Sequence, residues 1–142
     1  MENKSVMQSI VENMGKVMVG QSGAAKLMVV ALAAGGHVLI EDVPGIGKTT
    51  MAYALAKSIG VSFNRIQFTP DIIPSDITGF SMFNPKTCEF EYRQGSIMSH
   101  IILADEINRT SPKTQASMLE VMEERQVTVD GATYSVPDPF MV

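Results

Sequence analysis

The sequence has 142 residues, enough for a single domain with a substantial hydrophobic core. Hydrophobic residues make up 45% and charged residues 18%, a balance that excludes a disordered chain. The net charge is −4 and no basic stripe is present, so we expect no nucleic-acid-binding surface on this chain.

Cysteine usage and the length of the apolar runs indicate the compartment. Cys88 is the only cysteine, so the chain cannot form an internal disulfide, which fits a reducing environment. No apolar stretch follows Glu2 and Lys4, so no signal peptide is predicted. The longest apolar run, residues 27–34, is far shorter than the ~20 residues that a membrane span needs. We therefore expect a cytoplasmic protein without a membrane span.

Two helices are predicted before the first strand. Residues 4–15 carry apolar side chains at helical spacing, and Gly15 ends the pattern. A second helix is expected from Ser22, as its N-cap, to the glycine pair at 35–36. Its apolar stripe predicts burial against a sheet and consists of Leu27, Val30, Ala31 and Ala34.

A glycine-rich loop follows the first predicted strand, residues 37–41. Residues 41–50 read E-D-V-P-G-I-G-K-T-T, and a helical pattern then continues to Gly60. Strand, glycine loop and helix in this order are the context of a phosphate-binding loop. The predicted nucleotide-binding residues of the loop are Pro44, Gly45, Ile46, Gly47, Lys48, Thr49 and Thr50.

The residue types of the loop suit phosphate chemistry. Gly45 and Gly47 let backbone N–H groups turn toward a phosphate that a Cβ would crowd. Lys48 supplies a positive charge for the β- and γ-phosphates, and the Thr49 hydroxyl can ligate Mg²⁺. The loop departs from the general pattern at Asp42, where that pattern has glycine.

The middle of the chain contains a second strand and an irregular segment. Residues 62–69 are predicted to be a strand. Residues 70–79 hold too many helix breakers for a long helix. Beyond them, 80–83 and 90–93 are expected to form a hairpin around Asn84-Pro85-Lys86.

An acidic pair follows the next apolar strand. Residues 99–105 contain I-I-L-A and end in Asp105-Glu106. Hydrolysis of a bound nucleotide needs a metal ligand and a group that orients water. Asp105 suits the Mg²⁺ role and Glu106 the role of general base.

The last third continues the alternation of helix and strand. Ser111 is the predicted N-cap of a helix with Pro112 in its first turn. Its inward side chains are predicted to be Met118, Leu119 and Met122, and its solvated ones Glu120, Glu123 and Glu124. Residues 126–136 predict a hairpin with an Asp-Gly turn, and 140–142 look like the start of another core strand. The alternation predicts an α/β fold with ligands at the carboxyl ends of the strands.

Together these segments resemble the MoxR-type AAA+ ATPases. Residues 41–49 are similar to the phosphate loop of that family, which also carries aspartate at the position of Asp42. Residues 103–109 and 111–115 resemble its Walker B strand and the helix after it. The resemblance covers nearly the whole chain and extends to residues 67–71, 74–79 and 126–131.

The resemblance implies a P-loop NTPase fold, which is a three-layer α/β sandwich around a parallel sheet of order 5-1-4-3-2. It also implies that residues 80–95 are the insert in the second helix and that residues 126–136 precede sensor 1. On this basis the chain is an AAA+ core truncated before strand 5. The sensor residues, the arginine finger and the helical lid would lie beyond Val142.

The resemblance further implies the cofactors and the site. ATP and Mg²⁺ are the expected cofactors, with Val19, Gly20 and Gln21 against the adenine. Lys48 and Glu106 are implied to be catalytic, and Thr49 and Asp105 to hold the metal. A strand carrying the phosphate loop would be an edge strand here, so we expect the isolated segment to be weak or inactive as an ATPase.

The function implied is ATP-driven, chaperone-like remodelling or maturation of partner proteins by a ring of identical subunits. Partners with von Willebrand factor A-like domains are implied by the family alone. A magnesium-chelatase-like metal-insertion ATPase is the nearest alternative. A nucleotide-responsive interaction module without turnover is another, against which an intact Glu106 argues. The acidic charge balance disfavours a DNA-remodelling ATPase.

Several polar residues have two interpretations. Gln67 either holds Glu106 away from the nucleotide until a partner binds or is only a polar strand end. Asn108 and Arg109 either face a neighbouring subunit or act as a helix cap and a solvated side chain. Asp76 is either functional or a turn residue. His37 and His100 lack metal-ligand spacing and are predicted to be structural.

Overall fold

The computed structural model describes residues 5–41 and 47–142. Predictions on Asp42 and on the loop residues Pro44, Gly45 and Ile46 lie outside the described residues and stay predictions.

The described chain begins with three helices and then mixes helices and strands, so the predicted alternation is incomplete. The helices are α1 (Val6–Gly15), α2 (Ser22–Ala33), α3 (Lys48–Ile59), α4 (Pro74–Thr78) and α5 (Pro112–Glu124). The strands are β1 (Phe63–Gln67), β2 (Gly79–Asn84), β3 (Glu89–Gln94), β4 (Ile101–Asp105), β5 (Gln126–Val129) and β6 (Ala132–Ser135). None of the helices in the described ranges is long and apolar enough to cross a membrane.

A parallel sheet lies at the centre of the fold. β1 pairs with β4 in parallel, with Gln67 opposite Asp105. On the other side of β4, Ile101 forms a parallel bridge with Met141. The Val38 N–H in turn donates to the Val142 carbonyl at 3.0 Å. These contacts give the order β1, β4, residues 140–142, residues 37–41, which matches the implied 5-1-4-3-2 order over its last four strands.

The prediction of a first strand at residues 37–41 is wrong. Residues 37–41 have no assigned strand structure, and the bond from Val38 to Val142 is the single backbone bond seen there. The Leu39 side chain is 78% exposed, which a central strand would not permit. The reason is physical: a strand is stabilised by a neighbouring ladder, and among the described residues Val142 alone shares a backbone hydrogen bond with this segment.

Two hydrophobic cores cover the two faces of the sheet. Ile101 and Leu103 pack with side chains of α1, α2 and α3. Ile66 and Ile102 point the other way and pack with α5 and the hairpin β5–β6. This alternation follows from the two-residue period of a strand and gives the three-layer α/β sandwich that the sequence predicts.

Helix α2 corrects two predictions. Its N-cap is Gln21 rather than Ser22, which is already helical. Leu27 and Val30 are 71% and 57% exposed, and Ala34 is also exposed, so the predicted buried stripe is wrong at these three positions. Ala31, its fourth member, is partly buried against the core. The buried residues of the helix are Ala25, Met28 and Val29. Because α2 is apolar on nearly every side, its sequence does not specify which face packs.

Helix α5 largely follows its prediction. The Ser111 hydroxyl accepts the Thr114 N–H at 3.2 Å, so the predicted N-cap is confirmed. Met118 is fully buried and Glu120, Glu123 and Glu124 are exposed, also as predicted. Leu119 is 61% exposed, so its predicted inward position is wrong.

Both predicted hairpins are present. β2 pairs antiparallel with β3, and β5 with β6. Asp130 and Gly131 have φ of 49° and 78°, the positive values that a two-residue hairpin turn requires. The Tyr92 and Tyr134 rings stack with centroids 3.9 Å apart and so join the two hairpins.

Candidate functional site

A cleft of about 750 Å³ lies between β4 and residues 37–41 and extends past the end of β4 to Lys48 at the start of α3. Its apolar lining comes mainly from residues 37–41, β4, α5 and the segment 141–142. Its polar lining includes Lys48, Asp105, Glu106, Asn108 and Gln115. The fold thus brings Lys48 and the acidic pair, far apart in sequence, to one cleft at the carboxyl end of a parallel strand.

The start of α3 is open to an anion. Gly47 precedes the helix with φ 76° and ψ 38°, a left-handed conformation that favours glycine. No side chain caps this helix start in the described part of the chain, and Thr49 and Thr50 are exposed. The first N–H groups of a helix lack intrahelical acceptors and carry the positive end of its dipole. The geometry therefore suits a phosphate group.

Asp105 is held by an arginine of the neighbouring strand. Arg65 donates to Oδ2 of Asp105 from Nε at 3.2 Å and from an η nitrogen at 2.5 Å. The same η nitrogen of Arg65 donates to Oε1 of Gln67 at 2.7 Å. Arg65 is not among the residues that the sequence predicts to be functional. Its position two residues before Gln67, on the same strand face, was the available signal.

Glu106 has an unusual backbone. Its φ of 58° and ψ of 39° are left-handed, which costs a non-glycine residue about 1–2 kcal/mol. Such strain clusters at functional sites because the surrounding structure must enforce it. The Glu106 side chain is exposed, and among the described residues no hydrogen bond joins it to Gln67, whose side-chain oxygen accepts from Arg65.

The turn after Glu106 is anchored to α5. Residues Ile107–Arg109 form one turn of 3-10 helix. The Gln115 side-chain amide donates to the carbonyl oxygens of Ile107 at 3.1 Å and Thr110 at 3.2 Å. Asn108 and Arg109 are exposed beside this turn. The chain therefore leaves the acidic pair in a fixed direction.

The predicted adenine-contacting residues lie elsewhere. Val19 and Gly20 fall in the connection between α1 and α2, where Val19 is 90% exposed and Gly20 has φ 79°. Gln21 is the N-cap of α2. The 750 Å³ cleft does not include these three residues in its lining, so their predicted role stays a prediction.

Three further polar residues have structural contacts. Asp76 accepts the Ile73 N–H at 2.9 Å and so caps the short α4. His37 contacts the Met122 carbonyl at 3.2 Å through Nε2 and accepts the Val142 N–H through Nδ1 at 2.9 Å. His100 lies 2.7 Å from the Ser62 hydroxyl through Nδ1.

The donors near the cleft fit a magnesium ion. Mg²⁺ prefers oxygen ligands and usually takes one or two carboxylates, with water and phosphate completing its shell. The Asp105 carboxylate and the exposed Thr49 hydroxyl are donors of this kind. No group of three or more His, Cys, Asp or Glu side chains that could hold a metal alone occurs within the described ranges. A cation here would depend on a bound nucleotide.

Comparison with known proteins identifies the family. The sequence profile of the ATPase family associated with various cellular activities (AAA) matches residues 37–142. The chain is 64% identical to YeaC of Bacillus subtilis over 132 residues, covering 93% of this chain and 41% of that protein. It is 43% identical to the chaperone MoxR1 of Mycobacterium tuberculosis over 127 residues, covering 89% of this chain and 34% of that protein.

A solved structure gives the same result. A crystal structure of an ATPase candidate from Cytophaga hutchinsonii superposes with a TM-score of 0.84 at 42% identity, over 96% of this chain and 42% of that one. The chain thus spans less than half the length of these relatives. On the profile match and these identities, the chain belongs to the MoxR family of AAA+ ATPases.

Proposed function

We propose that this chain is the nucleotide-binding part of an ATPase that drives chaperone-like remodelling or maturation of partner proteins. The observation that carries the proposal is the shared cleft, which Lys48 lines from the start of α3 and Asp105 and Glu106 line from the end of β4. A lysine for the phosphates, a carboxylate for the metal and a group that orients the attacking water are the residue types that phosphoryl transfer requires.

Each residue has a separate task in this proposal. Lys48 and the N–H groups at the start of α3 hold the phosphates by charge and hydrogen bonds. Thr49 and Asp105 hold Mg²⁺, which when bound neutralises charge that develops on the phosphate oxygens. Glu106 accepts a proton from the attacking water and orients it. Its exposed side chain has the freedom to do so.

The activity of the whole protein is a proposal of wider scope. ADP would be released after each turnover. Ring assembly would let a neighbouring subunit supply an arginine finger, worth ~10³–10⁵ in rate in comparable hydrolases. Proteins with von Willebrand factor A-like domains are the proposed partners and the cytoplasm is the proposed location. Magnesium-chelatase-like metal insertion is the alternative use of the same ATPase cycle.

Release of phosphate from ATP tests the proposal. We expect slow turnover by the purified chain and a fall of at least ~10²-fold in Glu106→Gln, because a positioned general base contributes about that much. Glu120→Gln is the matched control, since Glu120 is an exposed carboxylate on α5. Equal turnover in Glu106→Gln would contradict the assignment of the base. Because the isolated segment is expected to be weak or inactive, nucleotide binding without turnover would favour a nucleotide-responsive interaction module only if a longer relative such as YeaC also bound nucleotide without turnover.

A further inference from the structure

The ion pair between Arg65 and Asp105 has an asymmetric geometry. Both of its hydrogen bonds end on one carboxylate oxygen, Oδ2, at 3.2 and 2.5 Å. A side-by-side arginine–carboxylate pair would engage both oxygens. Among the described residues, no donor lies on the other oxygen, Oδ1. Arg65 therefore holds the carboxylate through Oδ2 and leaves Oδ1 available to a ligand.

The sheet register explains why Arg65 can hold Asp105. Gln67 lies opposite Asp105, and Arg65 lies two residues earlier on the same strand. Side chains two residues apart share a strand face, so all three project from the same side of the sheet. That side is the one on which Leu103 packs with α3, the helix that begins at Lys48. The guanidinium thus reaches the carboxylate on the face of the candidate nucleotide site.

A third contact fixes the guanidinium itself. The η nitrogen of Arg65 that contacts Asp105 also donates to the Gln67 side-chain oxygen at 2.7 Å. The Asp105 side chain is 19% exposed and that of Arg65 is 46% exposed. An ion pair at this exposure adds little to stability, because water screens the charges and two side chains lose rotamer freedom. The ion pair therefore matters more for the position of the Asp105 carboxylate than for the stability of the fold.

We propose that Arg65 is a positioning residue for the metal ligand: it fixes Asp105 through Oδ2 and leaves Oδ1 for Mg²⁺ or a Mg²⁺-bound water. This inference rests on the proposed nucleotide site. Partners that orient a metal ligand typically matter 10–100-fold in metal affinity, even though they never touch the ion. Arg65 lies on β1 and acts in this way on Asp105 of the neighbouring strand β4.

The competing account is that Arg65 weakens the binding of Mg²⁺. A guanidinium close to a cation site repels the cation, and a carboxylate shared with arginine is a weaker metal ligand. If those effects dominated, removal of Arg65 would make Mg²⁺ bind more tightly. The two accounts therefore predict opposite changes in the Mg²⁺ concentration that nucleotide binding requires when Arg65 is removed.

The test measures binding of a fluorescent ATP analogue to the purified chain, first in EDTA and then across a Mg²⁺ series. The variants are Arg65→Met, which keeps length but removes the donors, and Arg65→Lys, which keeps charge but loses the planar fork. Arg93→Met is the matched control, because Arg93 is a half-exposed arginine that pairs with Glu91 on the β2–β3 hairpin.

We expect Arg65→Met to need about 10-fold more Mg²⁺ for half-maximal enhancement of nucleotide binding, with binding in EDTA unchanged. Arg65→Lys should recover part of the loss, and Arg93→Met should behave as the parent. Thermal unfolding of Arg65→Met within a few degrees of the parent checks that it folds, and Arg65→Gln repeats the test if it does not.

The failures of the two proposals are distinguishable. An unchanged or tighter Mg²⁺ requirement in Arg65→Met would overturn the positioning role and leave the nucleotide site standing. Absence of analogue binding in the parent, both with and without Mg²⁺, would overturn the proposed function and the role of Arg65 together.

Discussion

Glu106 combines an exposed carboxylate with a left-handed backbone, φ 58°. A residue at the end of a parallel strand has no general need for this conformation, which glycine or asparagine would adopt more easily. A glutamate in this position indicates that the side chain matters more than the local strain. The strain itself could not be predicted, because it depends on how α5 and Gln115 redirect the chain after β4.

Glu106→Gly tests whether the site stores this strain. Relief of about 1–2 kcal/mol of left-handed strain exceeds the ~0.5–1 kcal/mol entropic cost of glycine. We therefore expect a gain of about 0.5 kcal/mol, or about 2 °C in thermal unfolding, together with loss of turnover. Glu106→Gln should leave the unfolding temperature unchanged. A Glu106→Gly variant less stable than the parent would contradict the strain account.

Gly47 also has a left-handed backbone, but as a glycine it adopts this conformation without strain. Its φ is 76°, and a Cβ added there would lie 3.8 Å from Thr50, an ordinary contact. The expected cost of Gly47→Ala is thus backbone strain of about 1–2 kcal/mol, a fall of roughly 3–6 °C in thermal unfolding. Because the helix start would be distorted, binding of Mg·ATP should weaken as well.

Gly23→Ala in α2 is the matched control for that variant. Gly23 is helical, and a Cβ added there would meet open space. Replacing a helical glycine by alanine stabilises by about 0.4–1 kcal/mol, so the control should unfold at a higher temperature. Opposite shifts of the unfolding temperature in Gly47→Ala and Gly23→Ala would confirm that the backbone conformation at each glycine decides the effect on stability. Shifts of the same sign and size would contradict that explanation.

At the scale of elements, Tyr92 joins the two hairpins. Its ring stacks on Tyr134, and its hydroxyl donates to the Thr78 carbonyl at 2.5 Å. Burial raises the pKa of Tyr92 above its ordinary value of 10.0, because the phenolate loses water. The hairpin β2–β3 is therefore anchored to the body of the fold by a neutral tyrosine.

The pH dependence of stability tests this anchor. A group whose pKa is raised on folding contributes stability that is fully present below its unfolded pKa, about 10, and is lost as pH rises through the folded value. Tyr92→Phe should be less stable than the parent by about 1 kcal/mol at pH 7, and the difference should shrink above pH 10. A difference that stays constant with pH would contradict the account.

Strong local signals predicted most of the elements that build the site. The buried run before Asp105, the N-cap at Ser111 and the Asp-Gly turn at 130–131 each act within a few residues, and the structure has all three. Features that depend on distant partners were missed or wrong. Three such features are the exposed Leu27 of α2, the lack of strand structure at residues 37–41 and the contact of Arg65 with Asp105. All three depend on packing or pairing across the fold.

At the scale of the whole molecule, the position of the cleft matters. It lies between residues 37–41 and β4, where the sheet order places residues 140–142. The chain covers 41% of YeaC and 34% of MoxR1, so the proposed ring assembly and turnover are to be tested on proteins of that length. The proposed binding of nucleotide, in contrast, would depend on Lys48 and α3, which lie within this chain, and can be tested on the chain itself.

Thermal unfolding with and without Mg·ATP tests the central claim most directly. Nucleotide at ~100 times its dissociation constant adds about 2.7 kcal/mol, roughly 8–10 °C for a domain of this length. We expect that shift in the parent and in Lys86→Ala, a control on the exposed turn of the β2–β3 hairpin, and no shift in Lys48→Ala. Cooperative unfolding of the parent without any shift would contradict the assignment of a nucleotide site to the start of α3.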